Sequence, residues 1–354
     1  MNSAVRPRGP RLPTLGLGTA PLGFLYEPVD DEQAAATIAR ALEGGVSYLD
    51  TAPGYGLGVA EARVGRALRS ADPGVIVSTK VGRVLTEPAG PFTPPFPGAP
   101  RLRARFDFSR DGILRSLEDS LRRLGTDRVD VVYLHDPDDH EDEVYRSAYP
   151  TLARLREEKV VGAIGVGMNQ SAMPARFVSR LDLDLVLLAG RYSLLDHSAI
   201  TDLLPACARR GVGVVVGGVF NSGILVDPGP HARYAYSPAS DDELARALRV
   251  REVCRRHGVP MSTAAMRFPL GDPAVVSVLV GMRSPAEVAA NLAAFGHPVP
   301  DDLWSELRAE GLLAPDTPTP TTGAPPGLTP VGQSPHEGAS DRASDAASDK
   351  ENVA

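Results

Sequence analysis

Short apolar segments alternate with longer amphipathic segments along most of this chain, from residue 14 to about residue 295. Each apolar segment is a nearly continuous run of Val, Leu, Ile and Gly, without a regular alternation of apolar and polar residues. Such runs are typical of parallel strands that are buried on both faces. The pattern therefore predicts strands at residues 14–19, 46–50, 75–80, 129–135, 163–168, 185–190, 212–216 and 274–281.

The segments between the predicted strands have helical periodicity. Residues 30–45 begin with an acidic turn and end on glycine, which favours a helix between those points. Residues 109–125 repeat apolar side chains every three or four positions and also end on glycine, and residues 242–258 follow the same design. Eight strands, each followed by a helix, predict an α/β fold of the (β/α)8, or TIM, barrel type. An open, doubly wound sheet is the alternative, because the pattern does not itself show closure.

Two segments depart from this alternation. Residues 82–108 follow the third predicted strand, and their prolines exclude regular structure over most of this insertion. On the catalytic face of a barrel it would be a lid or a substrate wall, or else a merely tolerated insertion. Residues 313–354 are rich in Pro, Ser, Thr and Asp, which predicts a disordered tail after a barrel domain over residues 1–312.

Composition and charge narrow the classes of function. The 354 residues carry a net charge of −7, which argues against a nucleic-acid surface. No stretch approaches the roughly 18 apolar residues of a membrane span, and the N-terminus lacks a signal-peptide core. Cys207 and Cys254 fall within predicted helices and provide no disulfide framework. We therefore predict a cytoplasmic protein that acts on a small molecule.

Polar residues that end the predicted strands form a chemically coherent group. Asp50, Lys80 and His135 end the second, third and fourth strands, and Tyr55 follows in the turn after Asp50. In a barrel these strand ends face the active site. A tyrosine is a poor base because its pKa is about 10, and a neighbouring lysine lowers that pKa. Singly, such residues often cap helices, reach solvent or pack. Together they predict an acid–base site in which Asp50 holds Lys80, Tyr55 exchanges the proton and His135 orients the substrate oxygen.

Three motifs carry a resemblance to a known family. "YLDTAPGYGLGVAEARVGRAL" (48–68), "VSTKVG" (77–82) and "VDVVYLHDPD" (129–138) resemble the signature segments of the aldo-keto reductases, in the order of that family. The resemblance covers roughly residues 12–312. It implies a (β/α)8 barrel that uses a nicotinamide cofactor, and it gives the four residues the catalytic roles described above. The cluster of His and carboxylates at 135–143 lacks a recognised ligand spacing, so we expect no metal site.

The resemblance extends to segments that would bind the cofactor. In the family, the counterpart of Asn169 holds the carboxamide, the loop at 217–225 wraps the pyrophosphate, and residues 280–292 clamp the adenosine. The cofactor residues implied for this chain are Asn169, Phe220, Asn221, Ser222, Gly223, Gly281, Arg283, Ser284, Glu287 and Asn291. The backbone N–H groups of the 221–223 loop would cradle the pyrophosphate.

The cofactor segments also depart from the family pattern. Ala189 replaces a common Gln, and Gly217 and Gly218 stand where many members carry an aromatic residue that stacks on the nicotinamide. Glu287 would disfavour a 2′-phosphate and accept hydrogen bonds from a ribose hydroxyl, whereas Arg283 argues for the phosphate. We expect NAD as the preferred cofactor, with NADP as the alternative.

Sequence segments beyond the catalytic motifs resemble a sugar-oxidising subgroup of the family, the L-fucose and D-threo-aldose 1-dehydrogenases. It implies oxidation at C1 of an aldose such as L-fucose or D-arabinose to the lactone, with Phe24, Tyr26 and Arg191 as substrate contacts. The alternatives are a pyridoxal 4-dehydrogenase and an NADPH-dependent aldehyde or ketone reductase that uses the same four residues in reverse. The non-enzymatic alternative is a cofactor-sensing barrel.

Overall fold

The computed structural model describes residues 9–25 and 27–321. Eight parallel strands close into a barrel, which confirms the (β/α)8 prediction and excludes the open sheet. The barrel strands are β1 (Leu15–Gly18), β2 (Tyr48–Asp50), β3 (Ile76–Val81), β6 (Val129–His135), β7 (Val161–Met168), β8 (Leu185–Ala189), β9 (Gly213–Gly217) and β12 (Val275–Gly281). The other described strands form two antiparallel hairpins, β4 (Arg83–Thr86) with β5 (Arg103–Phe106), and β10 (Arg233–Tyr234) with β11 (Ser237–Pro238).

Helices follow the barrel strands around the outside. The described helices are α1 (Asp31–Glu43), α2 (Val59–Leu68), α3 (Arg110–Leu124), α4 (Glu141–Glu143), α5 (Tyr149–Glu157), α6 (Ala172–Arg180), α7 (Leu203–Arg210), α8 (Asp241–Arg256), α9 (Met261–Arg267), α10 (Pro285–Gly296) and α11 (Asp301–Ala309). A five-residue π-helical segment joins α4 to α5. Side-chain caps begin α1, α3 and α8, where Asp30, Ser109 and Ser240 accept hydrogen bonds from backbone N–H groups of the first turn.

The core has two parts, one inside the barrel and one between the barrel and its helices. The inner part contains Tyr48 and Tyr133, both fully buried. Glycines in neighbouring strands make room for these rings. A Cβ atom on Gly16 would lie 2.7 Å from the Tyr48 ring, and one on Gly165 would lie 2.9 Å from the Tyr133 ring. Cys207 and Cys254 are unpaired and buried in α7 and α8, where they belong to the outer core.

The insertion is irregular over most of its length, but both of its ends are ordered as strands. β4 pairs with β5 in antiparallel register, and residues 87–102 between them contain no helix or strand. Prolines are concentrated in that central part, whereas the paired ends can donate and accept ladder hydrogen bonds. The insertion is therefore a hairpin with a long irregular tip, anchored directly after β3.

The C-terminal part of the described chain packs against the barrel domain beyond residue 312. Leu313 and Thr317 are buried, and the Arg308 guanidinium donates to the Thr317 carbonyl at 3.0 Å. Residues 322–354 of the predicted tail lie outside the described residues. None of the described helices combines the length and the apolar character that a membrane crossing requires.

Candidate active site

Three neighbouring barrel strands bring the predicted catalytic residues together. Asp50, Lys80 and His135 lie at the carboxyl ends of β2, β3 and β6, which are adjacent in the barrel. Asp50 is in register with Ser78, and Lys80 with Tyr133, two residues before His135. Because the strands are parallel, these ends meet at one rim of the barrel, where active sites of this fold are built.

Lys80 and Asp50 form the ion pair expected from the sequence. The Lys80 Nζ atom donates to Asp50 Oδ2 at 2.7 Å and to the Thr51 carbonyl at 3.0 Å. Both side chains are almost fully buried, with 2% and 4% of their surface exposed. Burial by itself would lower the pKa of Lys80, but the charge and hydrogen bond of Asp50, together with Tyr55, outweigh that effect and raise the pKa above its ordinary value. Lys80 is therefore a fixed positive charge at neutral pH.

A buried hydroxyl network holds the other oxygen of Asp50. Ser78 Oγ donates to Asp50 Oδ1 at 2.7 Å and lies 3.0 Å from the Tyr48 hydroxyl. The Tyr133 hydroxyl lies 3.3 Å beyond, inside the barrel. These contacts fix the carboxylate in the orientation that Lys80 requires. Sequence reasoning missed this network, although Tyr48, Ser78 and Tyr133 are polar residues within otherwise apolar strands.

Tyr55 lies in the loop after β2, with its ring next to both Lys80 and His135. The Lys80 Nζ atom is 4.6 Å from the centroid of the Tyr55 ring, and the His135 ring meets that ring edge-on at 6.0 Å. Gly23 permits a close approach of the preceding loop, because a Cβ atom there would lie 2.6 Å from the Tyr55 carbonyl carbon. The loop sequence "GYG" thus positions the phenol above the ion pair.

The pKa of Tyr55 reflects opposing contributions from burial and from neighbouring charges. Burial raises it, and the Asp50 charge adds to this increase, whereas Lys80 lowers it. The net shift is upward, because the loss of hydration of a phenolate outweighs the nearby ammonium. Lys80 lowers the pKa as predicted, but its contribution does not outweigh that of burial. Tyr55 is a neutral phenol at neutral pH.

His135 is buried and uncharged. Burial lowers the pKa of His135 well below its usual value, and the positive charges of Arg83 and Lys80 lower it further. Its Nε2 atom is 3.6 Å from Asp136 Oδ2, and its buried Nδ1 atom has no hydrogen-bond partner among the described residues. A neutral imidazole next to the phenol can donate or accept a hydrogen bond, but it does not add a third positive charge.

The loop after β9 has the conformation of a glycine-rich turn. Asn221 and Ser222 have φ values of 44° and 62°, and Gly223 has a φ of 101°. The backbone N–H groups of Asn221 and Gly223 donate at 2.9 Å to the carbonyls of Gly218 and Phe220. A pyrophosphate bound by those two N–H groups would have to replace these turn hydrogen bonds. The buried Asn221 Oδ1 atom has no partner among the described residues.

The predicted adenosine segment is organised around Arg283. Gly281 ends β12, and Ser284 caps α10 by accepting a hydrogen bond from the Glu287 N–H group at 3.1 Å. The Arg283 guanidinium binds Glu287 Oε1 and Glu27 Oε2, both at 2.8 Å. One cation thus faces two carboxylates. Asn291 is half-buried one turn further along α10.

The remaining predicted site residues have local contacts that the sequence did not show. Asn169 is exposed, and its carbonyl accepts a hydrogen bond from Arg191 Nε at 2.8 Å. Arg191 also pairs with Asp196 at 3.1 Å, so its guanidinium braces two loops. Phe24 stacks on Phe96 of the insertion, with ring centroids 4.1 Å apart. Tyr26 lies outside the described residues.

Comparison with known proteins identifies the family of this chain. The sequence pattern of the Aldo/keto reductase family matches residues 14–310. The chain belongs to this family. It is an NAD(P)-dependent oxidoreductase, because the match covers the whole barrel and relatives of 40–42% identity are named dehydrogenases.

Two named dehydrogenases are among the relatives of this aldo-keto reductase. It is 42% identical to a D-threo-aldose 1-dehydrogenase from a Pseudomonas species, over 87% of this chain and 96% of the relative. It is 40% identical to the pyridoxal 4-dehydrogenase of Microbacterium luteolum, over 85% of this chain and 94% of that enzyme. The solved structure of a glycerol dehydrogenase from Gluconobacter oxydans has the same fold, with a TM-score of 0.69 and 24% identity over 91% and 99% of the two chains.

Two residues at the site of this aldo-keto reductase were missed entirely in the sequence analysis. Arg83 begins β4, two residues after the end of β3, and Asp136 directly follows His135. Their side chains form an ion pair next to His135. The signal that pointed to Lys80 and His135, a polar residue just past a buried strand, also applies to this pair. No group of three or more potential metal ligands occurs within residues 9–25 and 27–321.

Proposed function

We propose that this enzyme oxidises C1 of an aldose in its ring form to the corresponding lactone, with NAD(P)+ as hydride acceptor. The observation that carries the proposal is the buried Lys80–Asp50 pair with Tyr55 and His135 above it. The 42% identity to a D-threo-aldose 1-dehydrogenase favours an aldose as the substrate. L-Fucose and D-arabinose are the first candidates, as the sequence resemblance implied.

In this reaction Tyr55 removes the proton of the anomeric hydroxyl group. Its phenolate must form inside a buried site, and the adjacent Lys80 ammonium stabilises that anion. Asp50 holds Lys80 in place and keeps it protonated. Neutral His135 donates a hydrogen bond to the same substrate oxygen and so orients it towards Tyr55. Tyr55, assisted by Lys80, thus transfers the hydroxyl proton, and His135 holds the substrate oxygen.

The nicotinamide cofactor fits the residues at the ends of β7, β9 and β12. Asn169 would hold its carboxamide, the 220–223 loop its pyrophosphate and the start of α10 its adenosine. The N-terminus of the 12-residue α10 is consistent with that assignment. When bound, the cofactor accepts the hydride that leaves the substrate.

The contacts of Arg283 support NAD as the preferred cofactor. An arginine at this position attracts a 2′-phosphate when its charge is free. Here Glu27 and Glu287 neutralise it, and the Gln33 amide holds its carbonyl at 2.7 Å. The group therefore has a net charge of −1, which disfavours a doubly negative phosphate and leaves carboxylate oxygens for a ribose diol.

Replacing Glu27 with glutamine should shift the enzyme towards NADP. The change releases Arg283 Nη1 from an exposed ion pair, so we expect the ratio of affinities for NADPH over NADH to rise about three- to fivefold at low salt. Cofactor affinity is measured by fluorescence titration. Glu32→Gln is the matched control, because Glu32 is exposed nearby but is not among the carboxylates bound to Arg283. An unchanged ratio in Glu27→Gln would contradict the neutralisation argument.

The two directions of the reaction should respond differently to pH. Because burial raises the pKa of Tyr55, almost every molecule carries a protonated phenol at neutral pH. Oxidation needs the phenolate, so kcat should rise with pH, approaching about tenfold per unit between pH 7 and 9. Reduction needs the phenol and should stay nearly flat over that range. C1-deuterated aldose verifies that C–H cleavage limits the rate, and a flat oxidation profile under that condition would contradict this prediction.

A substrate panel tests the proposed function. The enzyme is incubated with NAD+ or NADP+ and L-fucose, D-arabinose, L-galactose, D-glucose or pyridoxal, and reduced cofactor is followed by absorbance. Rapid reduction of NAD+ with L-fucose and D-arabinose supports the proposal. Turnover of pyridoxal alone would instead support the activity of the second relative. Silence across the panel, with NADPH oxidised by simple aldehydes, would support a reductase on the same four residues.

A further inference from the structure

The ion pair between Arg83 and Asp136 lies beside the proposed catalytic residues but has no part in the proton transfer. Arg83 Nη2 donates to Asp136 Oδ2, and both side chains are partly buried, with 27% and 20% exposure. Asp136 has a φ of 46°, in the left-handed region that non-glycine residues seldom adopt. The backbone after β6 is therefore bent so that this carboxylate faces the site.

The Arg83 guanidinium faces the same space as the catalytic groups. A Cβ atom added to Gly54 would lie 3.6 Å from His135 Cε1 and 3.7 Å from Arg83 Nη1. Gly54 immediately precedes Tyr55, so Arg83 and His135 flank the approach to the phenol. The ring of Phe106 from the insertion covers the guanidinium at 4.9 Å. Arg83 Nε is buried and has no hydrogen-bond partner among the described residues, so the guanidinium retains unused donor capacity.

The Asp136 carboxylate supplies hydrogen-bond acceptors next to the donors of Arg83. Its Oδ2 atom is 3.6 Å from His135 Nε2. Burial raises the pKa of Asp136, while the Arg83 charge opposes that increase. The pair therefore presents a donor and an acceptor beside His135, close to where His135 and Tyr55 are proposed to hold the reacting oxygen. A hydroxyl group both donates and accepts, and it satisfies such a pair.

We propose that Arg83 and Asp136 bind the hydroxyl group on C2 of the aldose, next to the reacting carbon. This inference rests on the proposed function and specifies how that site selects a polyhydroxylated substrate. The hydroxyl donates to Asp136 and accepts from Arg83. An aldehyde or alcohol without that hydroxyl leaves the partly buried Arg83–Asp136 pair without a hydrogen-bond partner. Because unpaired buried polar groups are costly, such a substrate should react with a much lower kcat/KM. Phe106 shields the pair from solvent on the side of the insertion.

The experiment must distinguish a direct contact with the hydroxyl from a purely electrostatic effect of the Arg83–Asp136 pair on His135. The Arg83 charge contributes to the low pKa of His135, so loss of Arg83 alters the electrostatics of the site for every substrate. A purely electrostatic or structural role therefore predicts equal losses with all aldoses. A direct contact with one hydroxyl predicts a loss that depends on the presence of that hydroxyl.

The experiment compares each variant with an aldose and its 2-deoxy analogue, for example D-arabinose and 2-deoxy-D-ribose. Arg83→Met should lower kcat/KM for D-arabinose about 10- to 100-fold, mainly through KM, and lower it less than about threefold for the 2-deoxy sugar. Asp136→Asn should give the same pattern. Asparagine keeps the shape of the side chain and tolerates the left-handed backbone, so this second variant folds even if the first does not.

An exposed arginine of the same hairpin provides the control for the Arg83 variant. Arg105→Met removes an exposed arginine from the same hairpin, where it pairs with Asp107, and should leave both substrates unaffected. Equal losses on the two sugars in both site variants, with the acid limb of the pH profile moved, would overturn the inference and leave the pair an electrostatic support for His135. Failure of the unmodified enzyme to oxidise any aldose would overturn the proposed function instead, and this inference with it.

Discussion

Replacement of Tyr55 by phenylalanine is expected to lower kcat for aldose oxidation by about 10²- to 10⁴-fold. The variant lacks only the hydroxyl oxygen that removes the substrate proton. The ring, its contact with Lys80 and its edge-on contact with His135 remain, so the site keeps its shape. The affinity for NADH should therefore stay within about twofold of that of the parent enzyme, since no step of cofactor binding uses the phenol. Steady-state kinetics and a fluorescence titration with NADH measure the two quantities.

The matched control for this variant is Tyr145→Phe. Tyr145 lies in the π-helical segment outside the barrel, where its ring packs against Phe177. The same atom is removed, and we expect no change in kcat. If Tyr55→Phe retained more than about a tenth of the parent activity, another group would be the proton acceptor, and the assignment of the phenol would be wrong. Loss of NADH binding in the variant would indicate instead that the loop had rearranged.

Replacement of Asp50 by asparagine is expected to have the largest effect on stability, about 3–5 kcal/mol of unfolding free energy. The substitution preserves the shape of the side chain but leaves the Lys80 ammonium buried without its counter-charge. The Thr51 carbonyl remains as its hydrogen-bond partner. One neutral acceptor does not offset the lost hydration of a buried cation. Urea unfolding followed by circular dichroism gives the free energy by linear extrapolation.

A double variant separates the charge effect from a general disturbance of the barrel. Asp50→Asn combined with Lys80→Met removes both charges, so it should be more stable than Asp50→Asn alone. Glu118→Gln is the surface control, because its exposed pair with Arg122 should contribute about 0.5 kcal/mol or less. A double variant less stable than Asp50→Asn would show that packing of the lysine stem, not the buried charge, dominates at this position.

The barrel itself could be predicted closely from the hydrophobic pattern. All eight strands occur where the apolar runs predicted them, with ends that differ by no more than two residues. Closure of the sheet was an inference from the strand count, and the observed pairing of β1 with β12 confirms it. The hairpin at the base of the insertion was not predicted, because β4 and β5 are short and lie 16 residues apart across a proline-rich tip. Short edge strands have a weak local signal.

The candidate site was predictable where it depends on the ends of parallel strands. Asp50, Lys80 and His135 follow apolar runs directly, so the barrel geometry alone brings them to one rim. Arg83 and Asp136 obey the same rule but have no motif of their own, and Glu27 lies in a loop without any pattern. The contact between Glu27 and Arg283 joins opposite ends of the domain, so no local feature of either segment indicates it.

The amino-acid sequence by itself determined the strands, the order of the helices and the chemical types of residue at the active rim. Each of these follows from interactions within a few residues and from the period of the buried face. The tertiary structure decided which charges meet and how strongly burial acts on them. It joined Arg83 to Asp136, surrounded Arg283 with two carboxylates and raised the pKa of Tyr55 despite the adjacent Lys80. Such effects depend on distances of a few ångströms between residues far apart in the chain and on the exclusion of water between them, and only the closed barrel specifies these.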